Sequence, residues 1–223
     1  MLSFTDLQLQ TLRLYAELIS RHPTYAGRLV FTHGPGCSAT GLPAAVSIAG
    51  GTSLLLDPDT PTVKSVFRQG GLDFVVNSLD EAIRVLKNEI RKHTPLSVAL
   101  TADPAAVLAE MHERGIQPDL ELTLAGATLV SSAHTNLHLN VADGLIQPSS
   151  HTLTWLAAHH WSEHLLPTVT TADLRTLDTR LIALLDDPIR QQWVRRIANY
   201  QRPAPSTGRA IWLTPAELAT LSP

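Results

Sequence analysis

The sequence predicts an α/β protein with a Rossmann-like, mainly parallel sheet, flanking helices, and a helical C-terminal extension that returns a last strand. Three observations predict it. A glycine-rich turn joins two apolar segments within residues 28–57. Strand-length apolar runs then alternate with helix-length segments as far as residue 124, which favours right-handed crossovers between parallel strands. Helix-start signals fall between these runs, at Ser78 with Glu81 three residues later and at Asp103-Pro104.

The first strand, turn, helix and strand carry the main functional signal. An apolar run enters the turn Gly34-Pro35-Gly36-Cys37-Ser38-Ala39, small residues follow over 41–50, and a second apolar run ends at Asp57. In this G-x-G-x-x-A arrangement Gly34 permits a tight turn, Gly36 lets the backbone approach a pyrophosphate, and Ala39 keeps the helix close to its strand. The acid at Asp57 has the spacing of one that holds a ribose 2′-OH, which predicts NAD rather than NADP. Glycine turns of this kind also occur in α/β proteins that bind no ligand, and that alternative stays open.

The remaining elements follow from apolar periodicity and from residues that break helices. An N-terminal helix is predicted over residues 6–21, where leucines repeat before Pro23. Residues 127–146 mix polar and apolar types, which fits irregular strands or a loop. The other predicted elements are strands at 73–76, 96–100 and 120–124, helices at 78–92, 103–114, 151–165, 171–185 and 188–200, and a terminal strand at 209–213 placed to add to the sheet.

Composition places the chain among ordinary globular proteins. Of its 223 residues 44% are hydrophobic and 17% charged, with a net charge of −3, so neither a nucleic-acid surface nor a membrane span is expected. A single cysteine and the lack of a signal-peptide pattern predict a cytoplasmic protein. We expect one domain over residues 1–223, made of an N-terminal helix (1–27), a Rossmann-like core (28–126) and a helical extension with the final strand (127–223).

These segments resemble the NAD-binding domain of urocanase, the urocanate hydratase of histidine breakdown. In that family a strand enters a G-L-G-G-M-G-G-A-Q-P turn and the second strand reads S-L-N-I-E, and the corresponding residues here are 34–43 and 53–57. The family's I-A-L-x-G-N-A and R-G-V-R-P-D are similar to residues 98–103 and 114–119, in register and without a gap. Near the end, residues 193–198 and 208–212 are similar to R-W-L-D-M-A and P-A-R-I-C-W.

The resemblance implies that NAD⁺ is the cofactor. It implies that Cys37, Ser38 and Ala39 hold the phosphates, that Asp57 holds the adenosine ribose, and that Asp103 lies at the crossover on the nicotinamide side. In the family NAD⁺ acts as an electrophile that adds to the imidazole ring of the substrate, after which water adds. The family is dimeric, so the resemblance also implies a homodimer, and apolar C-terminal helices rich in Ala, Leu and Trp would offer it a surface.

The sequence departs from the family where the substrate chemistry takes place. The family's D-Q-T-S-A-H-D segment corresponds to T-L-A-G-A-T-L at residues 123–129, its arginine after the ribose acid corresponds to Thr62, and these residues hold no counterpart of its surrounding core domain. Water addition needs a positioned acid–base group in an enclosed site. We therefore expect an NAD⁺-binding structural or regulatory module that does not hydrate urocanate by itself. A bulky Leu124 could also occlude the nicotinamide end of the pocket.

Two alternatives to this function remain at the level of sequence. One is a hydratase-type lyase whose substrate surface comes from a partner protein or from its own oligomer. The other is a small NAD-dependent oxidoreductase, which is disfavoured because no Tyr-x-x-x-Lys pair follows the predicted sheet.

Other candidate chemistry is weaker. His160 and His164 lie four residues apart on a predicted helix, near His159 and His151, and such a pair can bind a metal ion. A histidine-rich helix surface or oligomer interface fits the same pattern, and we predict no metal. Cys37 would be a reactive thiol if a helix N-terminus lowered its pKa, or a small residue that fills space under the turn.

Overall fold

The computed structural model describes residues 4–124, 135–142, 145–200 and 208–221. Within these ranges a seven-stranded sheet forms the centre of the molecule, and two further strands pair separately. The strands are β1 (Leu29–His33), β2 (Thr52–Leu56), β3 (Phe74–Val76), β4 (Leu96–Leu100), β5 (Leu120–Leu124), β6 (Thr135–Ala142), β7 (Leu145–Gln147), β8 (Ser162–Pro167) and β9 (Gly208–Leu213). The central order is β3-β4-β2-β1-β5-β6-β7, and all neighbours in it are parallel except β6 and β7.

Helices connect the parallel strands from β1 to β5 in sequence and cover the sheet. They are α1 (Phe4–Ile19), α2 (Leu42–Ile48), α3 (Thr60–Arg68), α4 (Leu79–Lys92), α5 (Pro104–Glu113), α6 (Ser150–Ala158), α7 (Thr171–Leu184), α8 (Pro188–Tyr200) and α9 (Pro215–Leu221). Both predicted helix starts are confirmed, because Ser78 caps α4 and Asp103 caps α5 with side-chain oxygens that accept backbone amides. The predicted α/β class with a mainly parallel sheet is confirmed as well.

Alternating side chains of the central strands fill two cores. On β1, Val30 belongs to the core formed with α1, α2 and α8, whereas Leu29 and Phe31 belong to the core formed with α4 and α5. Strand β2 is buried along its whole length, as expected for a parallel strand with both faces covered. Among the described helices, none is long and apolar enough to cross a bilayer.

The C-terminal segment closes the larger core together with α1. Tyr15 of α1 stacks on Trp193 and Trp212, with ring centroids 5.7 and 6.0 Å apart. The guanidinium of Arg190 lies 4.5 Å from the ring centre of Trp161 and donates to both carboxylate oxygens of Glu217, at 2.7 and 3.0 Å. The tryptophans of α8 and β9 therefore face inward.

Two sequence predictions differ from the structure, and one observed helix was not predicted. The helix predicted over residues 151–165 ends at Ala158, because His160 takes a left-handed backbone (φ 56°) and the chain turns into β8. The terminal strand β9 pairs antiparallel with β8 and does not join the central sheet. Helix α3 is not among the predicted elements, although Asp59 caps it and Pro61 suits its first turn.

Strands β6 and β7 occupy much of the segment predicted as irregular strands or a loop, whereas residues 125–134 and 143–144 lie outside the described ranges. The division of the chain into residues 1–27, 28–126 and 127–223 stays a prediction.

Candidate functional site

The glycine-rich turn lies at the carboxyl edge of the sheet, where the strand order reverses. The chain leaves β1 for β2, β3 and β4 on one side and then crosses to β5 on the other, so the switch point falls between β1 and β5. In open α/β sheets, ligands bind in the crevice outside such a point. Because the turn follows β1 directly, it borders this crevice.

Positive backbone angles shape the turn. Gly34 and Gly36 have φ values of 120° and 76°, which glycine adopts at little cost. A 3₁₀ helix over Cys37–Thr40 follows, and Gly41 with φ 77° leads into α2, where Pro43 is tolerated in the first turn. A Cβ atom at Gly34 or Gly36 would meet no described atom within 4 Å, so the space above both glycines is open.

The Asp57 carboxylate points back into the turn. Its Oδ1 accepts hydrogen bonds from the amides of Gly36 and Asp59, each at 3.0 Å. Its Oδ2 accepts from the amide of Ser38 at 3.0 Å and from the Ser38 hydroxyl at 2.6 Å. The residue is 0% exposed. Four donors of the chain itself thus satisfy this buried acid.

The backbone amides of the turn all have partners within the chain. The amides of Gly36 and Ser38 donate to Asp57, as described above. The others donate to backbone carbonyls, Gly34 to Leu56 at 3.0 Å, Cys37 to Gly34 at 3.2 Å and Ala39 to Gly36 at 3.0 Å. The turn therefore has room for a phosphate group, while its donors already serve internal acceptors. Its residues fit a dinucleotide on the condition that the Asp57 carboxylate moves away.

The Cys37 thiol lies beneath the turn. Its Sγ is 3.8 Å from the carbonyl oxygen of Leu56, and the residue is 0% exposed. Burial, and then the neighbouring charge of Asp57, raise the pKa of the thiol well above its ordinary value. A buried thiol with a raised pKa is a poor nucleophile. This supports the space-filling interpretation of Cys37 and contradicts the reactive one.

Two other predicted positions lie at helix starts near the same edge. The Asp103 carboxylate accepts from the Ala106 amide at 3.1 Å and so caps α5. Thr62, at the position of the family's arginine, donates its hydroxyl to the Asp59 carboxylate at 2.7 Å. Thr62 is therefore a neutral residue that contacts the capping residue of α3, whereas the family has a positively charged arginine at this position. The predicted cofactor contacts of Gly34, Gly36, Cys37, Ser38, Ala39, Asp57 and Asp103 stay predictions.

A polar row across β1, β5 and β6 was missed by the sequence reasoning. Glu121, wholly buried, has its Oε1 3.4 Å from Nε2 of His33 at the end of β1. Beside it, Oγ1 of Thr123 and Nδ1 of His138 are 2.8 Å apart. The signal was present in the sequence, because polar residues alternate with leucine in the segment Leu120–Leu124 and so share one face of the strand.

The histidines of the C-terminal half do not form the predicted pair on one helix. His160 lies in the turn after α6 and His164 lies on β8. His151 is 3.1 Å from the carbonyl oxygen of Ser20, and His159 is 2.8 Å from that of Trp155. Within the described ranges, no group of three potential ligands is arranged to hold a metal ion.

The sheet order, the crossovers and the glycine turn at the switch point define a Rossmann-like α/β domain. Comparison with known families identifies which one: the urocanase Rossmann-like domain matches residues 9–158 of the 223-residue chain. The chain belongs to the urocanase family. The match takes in the glycine turn, Asp57, Asp103 and the strands up to β7, whereas β8, β9 and the helices α7 to α9 lie beyond it.

Proposed function

We propose that this chain is a nucleotide-binding module of the urocanase family whose ligand is NAD⁺ or its adenosine half. The observation that carries the proposal is the glycine turn at the switch point of a sheet that matches the urocanase Rossmann-like domain. The open space above Gly34 and Gly36 supports it, because a pyrophosphate must approach the backbone closely there. Such a module has a structural or regulatory role.

We further propose that the chain does not hydrate urocanate by itself. The segment that departs from the family begins at Thr123, whose hydroxyl contacts His138, and at Leu124, which is half-buried against the larger core. Residues 125–129 lie outside the described ranges. The alternative proposal is a urocanase-type hydro-lyase whose substrate surface is completed by a partner protein or by a second copy. In that case urocanate is consumed only when the partner is added or when the oligomer forms.

Binding of NAD⁺ is tested by calorimetry on protein that has been freed of ligand by unfolding and refolding. Wild-type protein is compared with Gly36→Ala, which places a methyl group in the open space above the turn. The matched control is Gly115→Ala, because Gly115 also has a positive φ (64°) and open space, far along the chain at the end of α5. We expect Gly36→Ala to weaken binding by at least about tenfold and Gly115→Ala to leave it unchanged.

The contrary results are distinct. Absence of binding heat with NAD⁺ and with ADP from folded protein, in the wild type and also in an Asp57→Asn variant, would refute the nucleotide-binding proposal. If Gly36→Ala binds NAD⁺ with the same affinity as wild type, the binding site does not include the turn. Consumption of urocanate by the purified chain, followed by its ultraviolet absorbance, would refute the second proposal, since the chain would then hydrate without help.

The predicted homodimer and its cytoplasmic location also remain proposals. The dimer is supported by the dimeric state that the family resemblance implies and by the Ala-, Leu- and Trp-rich composition of the C-terminal helices. Light scattering coupled to size-exclusion chromatography measures the mass directly. A mass near 24.2 kDa at all concentrations would refute the dimer.

A further inference from the structure

We propose that Asp57 is an internal anion that occupies the phosphate-binding donors of the glycine turn, so that a ligand phosphate binds only when this carboxylate leaves. The inference rests on the proposed nucleotide site and states how that site is regulated. It differs from the role implied by the family resemblance, in which the acid at this position faces the ribose of the cofactor.

The first support is the direction of the carboxylate. In a dinucleotide unit the acid at the end of the second strand points outward to a ribose, and the amides of the turn point to the phosphates. Here both oxygens of Asp57 lie against the turn, with contacts of 2.6 to 3.0 Å to the Gly36 amide and to the amide and hydroxyl of Ser38. A carboxylate that accepts these hydrogen bonds satisfies the same donors that a phosphate oxygen would require.

The second support is that four donors of the chain satisfy the Asp57 carboxylate, which is fully buried. The fourth donor is the amide of Asp59, at 3.0 Å, which joins the start of α3 to the same carboxylate. Asp57 is 0% exposed, so a ribose hydroxyl cannot reach it in this conformation. A bound phosphate and a buried Asp57 would place two anions on one set of amides, and like charges at such a distance repel strongly when water is excluded.

The third support is the open space over the turn. Neither Gly34 nor Gly36 has a described atom within 4 Å of a built Cβ position. Among the described residues, none is close enough to these two positions to block a ligand by its bulk. The obstacle is that Asp57 occupies the amides of Gly36 and Ser38 and the Ser38 hydroxyl, and rotation of this one side chain with local movement of the turn would free them.

The inference is tested with two ligands, NAD⁺ and inorganic pyrophosphate, by calorimetry. Asp57→Asn removes the negative charge, and Ser38→Ala removes the shortest hydrogen bond to it while the turn keeps its backbone amides. The matched control is Asp173→Asn, the same charge change at an exposed helix start in α7. We expect Asp57→Asn to bind both ligands at least about tenfold more tightly than wild type, Ser38→Ala to bind them about threefold more tightly, and the control to match wild type.

Each outcome decides between the two proposals. If wild type binds NAD⁺ and Asp57→Asn binds it equally or more weakly, the inference is overturned and the nucleotide-binding proposal stands. If no variant binds NAD⁺ but Asp57→Asn gains pyrophosphate binding, the inference stands and the NAD⁺ proposal fails. If neither ligand binds to any folded variant, both fail. Should Asp57→Asn not fold, the Ser38→Ala variant decides, because unchanged affinity in it overturns the inference.

Discussion

Replacement of Asp57 by Asn should measurably destabilise the fold, and the structure gives the size of the effect. Asn keeps one carbonyl oxygen, which can continue to accept from the amides of Gly36 and Asp59. Its amide group then faces the Ser38 amide, so that a donor meets a donor at a position that is 1% exposed. One buried N–H is left without an acceptor.

The magnitude follows from these contacts. A buried donor without a partner costs about 1–3 kcal/mol, and two hydrogen bonds that change from a charged to a neutral acceptor lose roughly 1 kcal/mol together. The Ser38 hydroxyl can rotate and accept from the new amide, which recovers part of the loss. The free energy of unfolding should therefore fall by about 2–4 kcal/mol, or roughly 5–15 °C in melting temperature for a chain of this length.

The measurement is urea unfolding at neutral pH, followed by circular dichroism and by tryptophan fluorescence. Coincident transitions are required, because only two-state unfolding yields a free energy from the midpoint and slope. The Asp173→Asn control should stay within about 0.5 kcal/mol of wild type, because Asp173 is exposed at the third position of α7 and the Asn carbonyl oxygen can still accept from the Thr170 amide. A change of less than about 1 kcal/mol in Asp57→Asn would show that the four hydrogen bonds do not hold the turn.

Three further predictions concern the surroundings of the site. The free energy of unfolding, measured in urea, should fall by about 2 kcal/mol or more further in Gly41→Ala than in Gly36→Ala. Both glycines have nearly equal φ (77° and 76°), so the backbone strain is similar, but only a Cβ at Gly41 would overlap a neighbouring side chain. Burial alone would raise the pKa of Glu217, but the hydrogen bonds to Arg190 and Thr214 and the positive charge of Arg190 together outweigh it and lower the pKa. Glu217→Gln should therefore lower the urea midpoint at neutral pH, with a difference from wild type that shrinks as pH falls below about 4. Cys37 in native protein should resist a disulfide reagent at pH 8 and react at once in urea, and rapid native labelling would contradict its buried, raised-pKa state.

The sequence predicted the backbone of the site better than its side chains. The turn at Gly34, the caps at Ser78 and Asp103 and the sequence of strands from β1 to β5 follow from local rules that the rest of the chain does not override. The direction of Asp57 does not follow from such rules. Spacing along a strand places a residue at its carboxyl end, but whether the side chain turns outward or inward depends on donors brought there by another segment of the chain.

The C-terminal half shows a second limit of sequence reasoning. The histidine-rich helix was expected to continue to Leu165, and no glycine or proline lies within residues 151–165. The helix ends where His160 takes a left-handed conformation, and β8 then finds its partner in β9 some fifty residues later along the chain. Pairing with a distant strand overrode a local helical pattern, and an isolated sequence offers no signal for it.

The side chain at position 57 is shorter here than at the corresponding position of the family, and this difference can be tested by substitution. The family strand to which Ser53–Asp57 is similar ends in Glu, and a glutamate has one more methylene, which moves the carboxylate by about 1.5 Å. Contacts of 2.6 to 3.0 Å to four donors leave no room for that shift. In Asp57→Glu the carboxylate should therefore lose its hydrogen bonds to the turn, and the free energy of unfolding should fall by about 2–4 kcal/mol, as in Asp57→Asn. The affinity for NAD⁺ should rise. Retention of wild-type stability and affinity in Asp57→Glu would show that the interior of the turn accepts either acid. The direction of Asp57 would then be a consequence of the fold without influence on binding. If stability falls and affinity rises together, the single methylene separates an acid that closes the turn from one that leaves it open to a nucleotide.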